Sequence, residues 1–152
     1  MRRAEKEVEA AEWLGRMAEA KYSVVAFAQG DNGFPFALPC NLAYFDGALW
    51  LHGARAGLKY EALQNDPRVC VTTVFEAELD MDGLTIYFTS LVIYGRAATV
   101  PQAQHLEVCQ KFGMFFDPSR AAQYAAAYQT SAGALQFIRI EIEHMTAKQM
   151  RR

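Results

Sequence analysis

The chain has 152 residues, 52% of them hydrophobic and 21% charged, which fits a single domain spanning 1–152 with a substantial core. Its formal net charge of -2 provides no positive field to draw in nucleic acid or an anionic membrane, so neither is an expected partner. No window approaches the roughly 18 to 20 uncharged apolar residues of a membrane span, and Glu5, Lys6, Glu7, Glu9 and Glu12 interrupt the apolar core a signal peptide would need.

From Ala4 to Ala20 an alanine- and glutamate-rich run spaces Val8, Ala11, Leu14 and Met17 about one turn apart and predicts an amphipathic opening helix. Tyr22 to Gln29 is β-branched and aromatic, and Gly30-Asp31-Asn32-Gly33 is turn chemistry, so a hairpin is expected with its return strand starting near Phe34. Pro35 and Pro39 cannot donate to a ladder, so that strand lies at an edge, is bulged, or opens toward a ligand; it continues as CNLAYF. Asp46-Gly47 makes a second hairpin turn into ALWLH, a strand running to His52.

Gly53 and Gly57 flank a small-residue loop, after which LKYEALQND has helical spacing and stops before Pro67. RVCVTTVFE and TIYFTSLVIYGRAATV read as strands separated by the acidic turn AELDMDG, with Gly95 as a bend point in the second. Pro101 suits a first helical turn, and the segment to Ser131 gives one or two helices. ALQFIRIEIEHM alternates in part and closes the chain as a half-buried strand. About six strands that do not alternate regularly with helices predict a mainly β fold, a small antiparallel barrel with appended helices, rather than a parallel α/β sheet.

The segment LHGARAGLK carries the most chemistry. Gly53 and Gly57 permit close backbone approach, a helix start offers unpaired N–H groups, and Lys59 adds a full charge. A phosphate would fit there, although an ordinary glycine-rich turn has the same composition, and neither G-x-x-x-x-G-K-[ST] nor G-x-G-x-x-G is matched. His52 ends the strand beside this loop, as a site residue or as a hydrogen-bonded structural one. His105 and His144 are remote and form no metal-ligand spacing, so no metal site is expected. Cys40, Cys70 and Cys109 form neither a C-x-x-C pair nor a zinc pattern and fit a reducing cytoplasm. Ser90 lacks the G-x-S-x-G elbow and Cys40 lacks a histidine relay. Phe112, Phe115, Phe116, Tyr124 and Tyr128 read as helix packing rather than cofactor contacts.

Five segments in this order resemble the FMN-binding split β-barrels of the pyridoxamine 5'-phosphate oxidase-like family, and within them the nitroimidazole-resistance branch. They are the Arg2-Arg3 opening with its helix, DNGFPFALPCNLAYFDG, LHGARAGLK, FTSLVIYGRA and IRIEIEHMTAK, of which H-G-A-x-x-G-x-K is the most discriminating. The resemblance implies a six-stranded antiparallel split β-barrel that forms a homodimer with FMN in clefts between the subunits. It places Pro39, Cys40 and Asn41 along the flavin, His52, Gly53, Ala54 and Gly57 in the cleft wall, Lys59 on the phosphate, and Ser90 in the strand that completes the cleft. Two departures stand out: the family's closing Gly-Lys is Ala147-Lys148 here, and Phe88 stands where tyrosine is common. The basic strand motif of true pyridoxamine phosphate oxidases is not evident, so that vitamin-pathway reaction is not expected. The implied activity is an FMN-dependent oxidoreductase that takes electrons from an NAD(P)H-type donor to a small planar acceptor, nitroaromatic or quinone, with His52 as proton donor or substrate clamp. The alternatives are a non-enzymatic flavin-binding or sensing protein and a relative using deazaflavin or haem.

Overall fold

A computed structural model describes residues 4–28, 33–131 and 134–152. Among them eight strands form one antiparallel sheet in the order β3-β2-β6-β7-β8-β5-β4, with β1 paired to β8. The strands are β1 (Glu7–Val8), β2 (Ser23–Phe27), β3 (Phe36–Cys40), β4 (Ala43–Phe45), β5 (Ala48–Ala54), β6 (Arg68–Asp80), β7 (Thr85–Thr99) and β8 (Leu135–Met150). Four helices accompany them: α1 (Ala10–Gly15), α2 (Leu58–Asn65), α3 (His105–Phe116) and α4 (Ala121–Thr130).

The sheet curls because one core is shared by strands far apart in its order. Phe36 and Leu38 from the β3 edge pack against the same cluster as Leu49 and Leu51 of β5, with Val25, Val71, Leu91, Ile93, Ile138 and Ile140 between them. Burying apolar side chains on one face of each strand stabilises this curl by roughly 1.5 to 3 kcal/mol per large residue. The architecture is mainly antiparallel β, a half-barrel consistent with the split-barrel expectation, although the six strands expected become eight through the short β1 and β4. The outer face of β5 and β8 carries a second core, in which Trp50 and Phe137 meet Val108, Cys109 and Phe112 of α3 and Tyr128 of α4.

Several local expectations hold. Among the described residues β3 is an edge strand, paired with β2 alone, which tolerates Pro39 opposite Val24. Asp46 (φ 50°) and Gly47 (φ 70°) form the β4–β5 turn, and the β7–β8 register shifts between Tyr94 and Gly95, at the expected bend. Others are corrected. The single opening helix is broken into a 3-10 turn, β1, α1 and a second 3-10 turn, because pairing Glu7 with Lys148 and Val8 with Ala147 competes with helix continuation. The return strand begins at Phe36 and ends at Cys40, so CNLAYF is divided between β3 and β4. The acidic AELD is not a turn: it extends β6, paired through Asp80 with Thr85 beyond a bulge between Val74 and Glu76. Of the one or two helices expected after Pro101, two form. Most of the Gly30-Asp31-Asn32-Gly33 turn and the Arg2-Arg3 pair lie outside the described residues.

No helix among the described residues is long and apolar enough to cross a membrane.

Candidate functional site

β5 divides its residues between two faces. Leu49 and Leu51 enter the half-barrel core, whereas Ala48 and Trp50 belong to the cluster under α3 and α4. By this alternation Gly53 falls on the first face and His52 on the second. The imidazole of His52 meets Phe112 edge-on at 5.0 Å between centroids and Phe137 at 5.9 Å. The residue retains an exposed surface, but this partial enclosure lowers its pKa below the ordinary histidine value of 6.5, and the nearby Lys59 ammonium pushes the same way. Both effects favour the neutral imidazole.

After β5 the chain turns through Arg55, Ala56 and Gly57. Gly57 caps α2 in the left-handed region, φ 116° and ψ 178°, a conformation open to glycine and costly for other residues. Its carbonyl accepts the amide of Tyr60 at 2.9 Å. The amides of Leu58 and Lys59, first in the helix, have no acceptor within it. The side chain of Lys59 folds back across β5, so that a Cβ on Gly53 would stand 1.8 Å from Lys59 Nζ. Glycine at 53 thus makes room for the ammonium. Burial lowers the pKa of Lys59 and the Cys40 thiol opposes that shift. Among the described residues no carboxylate lies within ion-pair distance of Lys59, although eight such pairs form elsewhere on them.

Cys40 ends β3 beside this lysine. Burial pushes its thiol up to about 11, against the pull of Lys59, so it is a protonated wall residue and not a nucleophile. Pro39, Cys40, Asn41 and His52 line one cleft of about 440 Å³, together with Leu38, Phe112, Phe116 and Tyr124. Gly53, Ala54, Gly57 and Lys59 continue from His52 along the adjoining strand and loop. The structure does not bring Ser90 to this group. Ser90 pairs with Lys148 and His52 with Phe137, eleven residues apart on β8, or roughly 35 Å of strand at about 3.3 Å per residue.

Phe112, Phe116 and Tyr124 were expected to be helix packing. Phe112 and Phe116 do pack, but with the more exposed Tyr124 they also form the cleft's far wall. Their helical spacing was the available signal, and only the fold shows that this face looks toward His52. His105 is structural: Nε2 donates to the Val100 carbonyl at 2.9 Å and Nδ1 meets the Tyr128 hydroxyl at 3.1 Å, fully buried. His144 stacks on the exposed Tyr94. Among the described residues no group of three or more His, Cys, Asp or Glu side chains could hold a metal ion. A larger hollow of about 560 Å³ lies between the β6–β7 hairpin and the C-terminal end. There Arg152 is already paired with Glu78 at 3.1 Å, so the smaller cleft, whose wall residue Cys40 interacts with Lys59 next to it, is the better candidate for ligand chemistry.

Residues 9–149 match the family model described as pyridoxamine 5'-phosphate oxidase. No curated protein matches the sequence. Solved structures are similar in fold. A candidate 5-nitroimidazole antibiotic resistance protein from Bacteroides thetaiotaomicron superposes with a TM-score of 0.68 at 17% identity, covering 93% of this chain and 85% of that one. The flavocytochrome Anf3 of Azotobacter vinelandii gives 0.81 at 18% identity, covering 100% and 72%. An FAD-binding protein from Mesorhizobium loti gives 0.61 at 22% identity, covering 96% and 98%.

Proposed function

Because the chain belongs to the pyridoxamine 5'-phosphate oxidase family, we propose that it is a flavoprotein of oxidoreductase type, binding FMN and moving electrons from an NAD(P)H-type donor to a small planar acceptor such as a nitroaromatic or a quinone. The observation that carries this reading is Lys59, a partly buried ammonium without a carboxylate partner among the described residues, held over Gly53 at the start of α2. An unpaired, desolvated cation beside two free helix amides is the donor set a phosphate requires. Pro39, Cys40 and Asn41 with His52 supply the edge of the cleft, and Phe112, Phe116 and Tyr124 supply an apolar wall for a ring. The residues present therefore fit a phosphorylated flavin.

Such a flavin, when bound, would supply the two-electron chemistry. The protein's own part is to anchor the phosphate through Lys59, exclude water with the aromatic wall, and offer one hydrogen bond from His52. Burial and the nearby Lys59 ammonium lower the pKa of His52, which favours a hydrogen-bonding clamp on the ring or the acceptor over a cationic proton donor. Ser90 enters this reading through a second chain. A homodimer in which each subunit completes the other's cleft reconciles its distance from Lys59 with a shared site.

FAD is the second reading, favoured by the likeness in fold to an FAD-binding protein. The visible spectrum of protein purified without added cofactor tests the flavin itself, and calorimetric titration with FMN, FAD and riboflavin tests the anchor. Lys59→Ala is expected to lose about ten- to a hundredfold in FMN affinity, the effect of one charge-assisted contact of roughly 1.5 to 3 kcal/mol. Riboflavin, lacking phosphate, should lose far less. Equal losses for the two ligands, or none for FMN, would place the phosphate elsewhere.

A further inference from the structure

Behind His52 the cleft does not end. A second cavity of about 150 Å³ lies between the outer face of β5 and β8 and the helices α3 and α4, and it shares His52, Phe112 and Tyr124 with the cleft. We propose that this inner chamber binds a neutral aromatic ring of about benzene's size, entered from the cleft past His52. No charged side chain lines it. Its polar groups are already engaged: the Cys109 thiol donates to the Tyr124 carbonyl at 3.4 Å, the Ser131 hydroxyl to the Ala127 carbonyl at 2.9 Å, and the Tyr128 hydroxyl meets His105. An ion placed there would lose part of its hydration with no countercharge in return, whereas an apolar ring gains by leaving water. Size points the same way, since a dry apolar cavity of roughly 150 Å³ in another protein takes up benzene. Phe112, Tyr124 and Phe137 offer ring edges and faces, which selects an aromatic ligand over an aliphatic one.

His52 stands at the junction, and its imidazole makes no hydrogen bond with the described residues. The ring that fits best therefore carries a single polar substituent, a nitro or carbonyl oxygen, on the side facing the cleft, where the imidazole reaches it. Binding of the ring needs only the chamber. Its identity as the electron acceptor rests on the flavoprotein reading above, and narrows that reading to compact uncharged rings.

Fluorobenzene, followed by fluorine NMR, tests the chamber in the purified protein with and without flavin. The expected result is saturable binding that shifts the methyl resonances of Ala127 and Leu135, with benzoate and benzylammonium leaving both unmoved at equal concentration. Ala127→Leu fills the chamber from α4 and should weaken fluorobenzene by about tenfold or more, because the ring must then displace a packed side chain, while FMN titration is unchanged. Charged rings that bind as well as fluorobenzene, or methyl shifts confined to other residues, overturn the proposal without any substituted protein. Binding at these methyls by a protein that takes up no flavin keeps the chamber and removes the flavoprotein reading. Flavin binding with these methyls unmoved does the reverse.

Discussion

At Gly53 the missing side chain determines where Lys59 can rest. A methyl group there would overlap Nζ, and since Nζ is the far end of a flexible chain, the lysine would swing away at little cost to the fold. Gly53→Ala should therefore mimic Lys59→Ala in FMN titration while leaving the urea midpoint almost unchanged. The double variant should be no weaker than Lys59→Ala alone, because the two changes remove one contact; fully additive losses would separate the residues. His52 gives a pH test. Its folded pKa lies below 6.5, so the unfolded chain takes up the proton first on acidification. The stability contributed by neutral His52 is present above pH 6.5 and is lost as pH falls toward the folded value. Between about pH 7.5 and about pH 5, urea midpoints should fall more steeply for the parent than for His52→Gln, in which that titration is absent. Parallel slopes would mean that His52 titrates alike in both states.

Among the elements, those written in local chemistry were legible in the sequence, whereas those decided by distant pairing were not. The Asp46-Gly47 turn, the α2 start after Gly57 and the proline-bearing edge strand each follow from residues a few positions apart. The opening segment shows the opposite case. Its alanine and glutamate content favours a helix, yet Trp13, Leu14 and Met17 must reach the core while Glu7 and Val8 pair with β8, and no window contains β8. AELD looks like a turn by polarity and becomes strand only because residues 85–88 lie opposite it. The same limit applies to the candidate site: the anion loop proposed at Gly57 and Lys59 rests on residue type and spacing, but the far wall of Phe112, Phe116 and Tyr124 is brought there by helices packed on the outer sheet face. Gly95 was legible as a bend, and its reason is spatial, since a Cβ there would stand 2.2 Å from the Glu141 carbonyl oxygen. Gly95→Ala must displace β8 backbone and should cost about 1 to 3 kcal/mol in urea unfolding. Gly15→Ala, with open space at its Cβ, serves as the near-neutral comparison. Equal effects at the two positions would show that β7 and β8 yield more easily than their register suggests.

For the whole molecule, the proposed homodimer rests on what a single chain leaves exposed. The β6–β7 hairpin carries Leu79, Met81, Leu84 and Ile86 into solvent, with Leu84 at 88% exposure. Such a run of apolar side chains on one hairpin suits a contact surface better than a surface facing water. Ser90 lies on the same hairpin's second strand, far along the sheet from Lys59. A two-fold pairing in which the hairpin of one protomer covers its partner would bury the apolar tip and bring a second surface to the cleft. Light scattering should therefore give twice the chain mass of 17.0 kDa. Met81→Lys with Leu84→Asn tests the surface at little risk to the fold, since Leu84 sits at φ 47°, where asparagine is better accommodated than leucine. The expected outcome is a folded monomer whose FMN affinity falls together with dimer content. If this variant stays dimeric, the hairpin is not the interface. If it becomes a monomer and still binds FMN with full affinity, each chain holds its cofactor alone and the proposed role of Ser90 in a shared cleft is wrong.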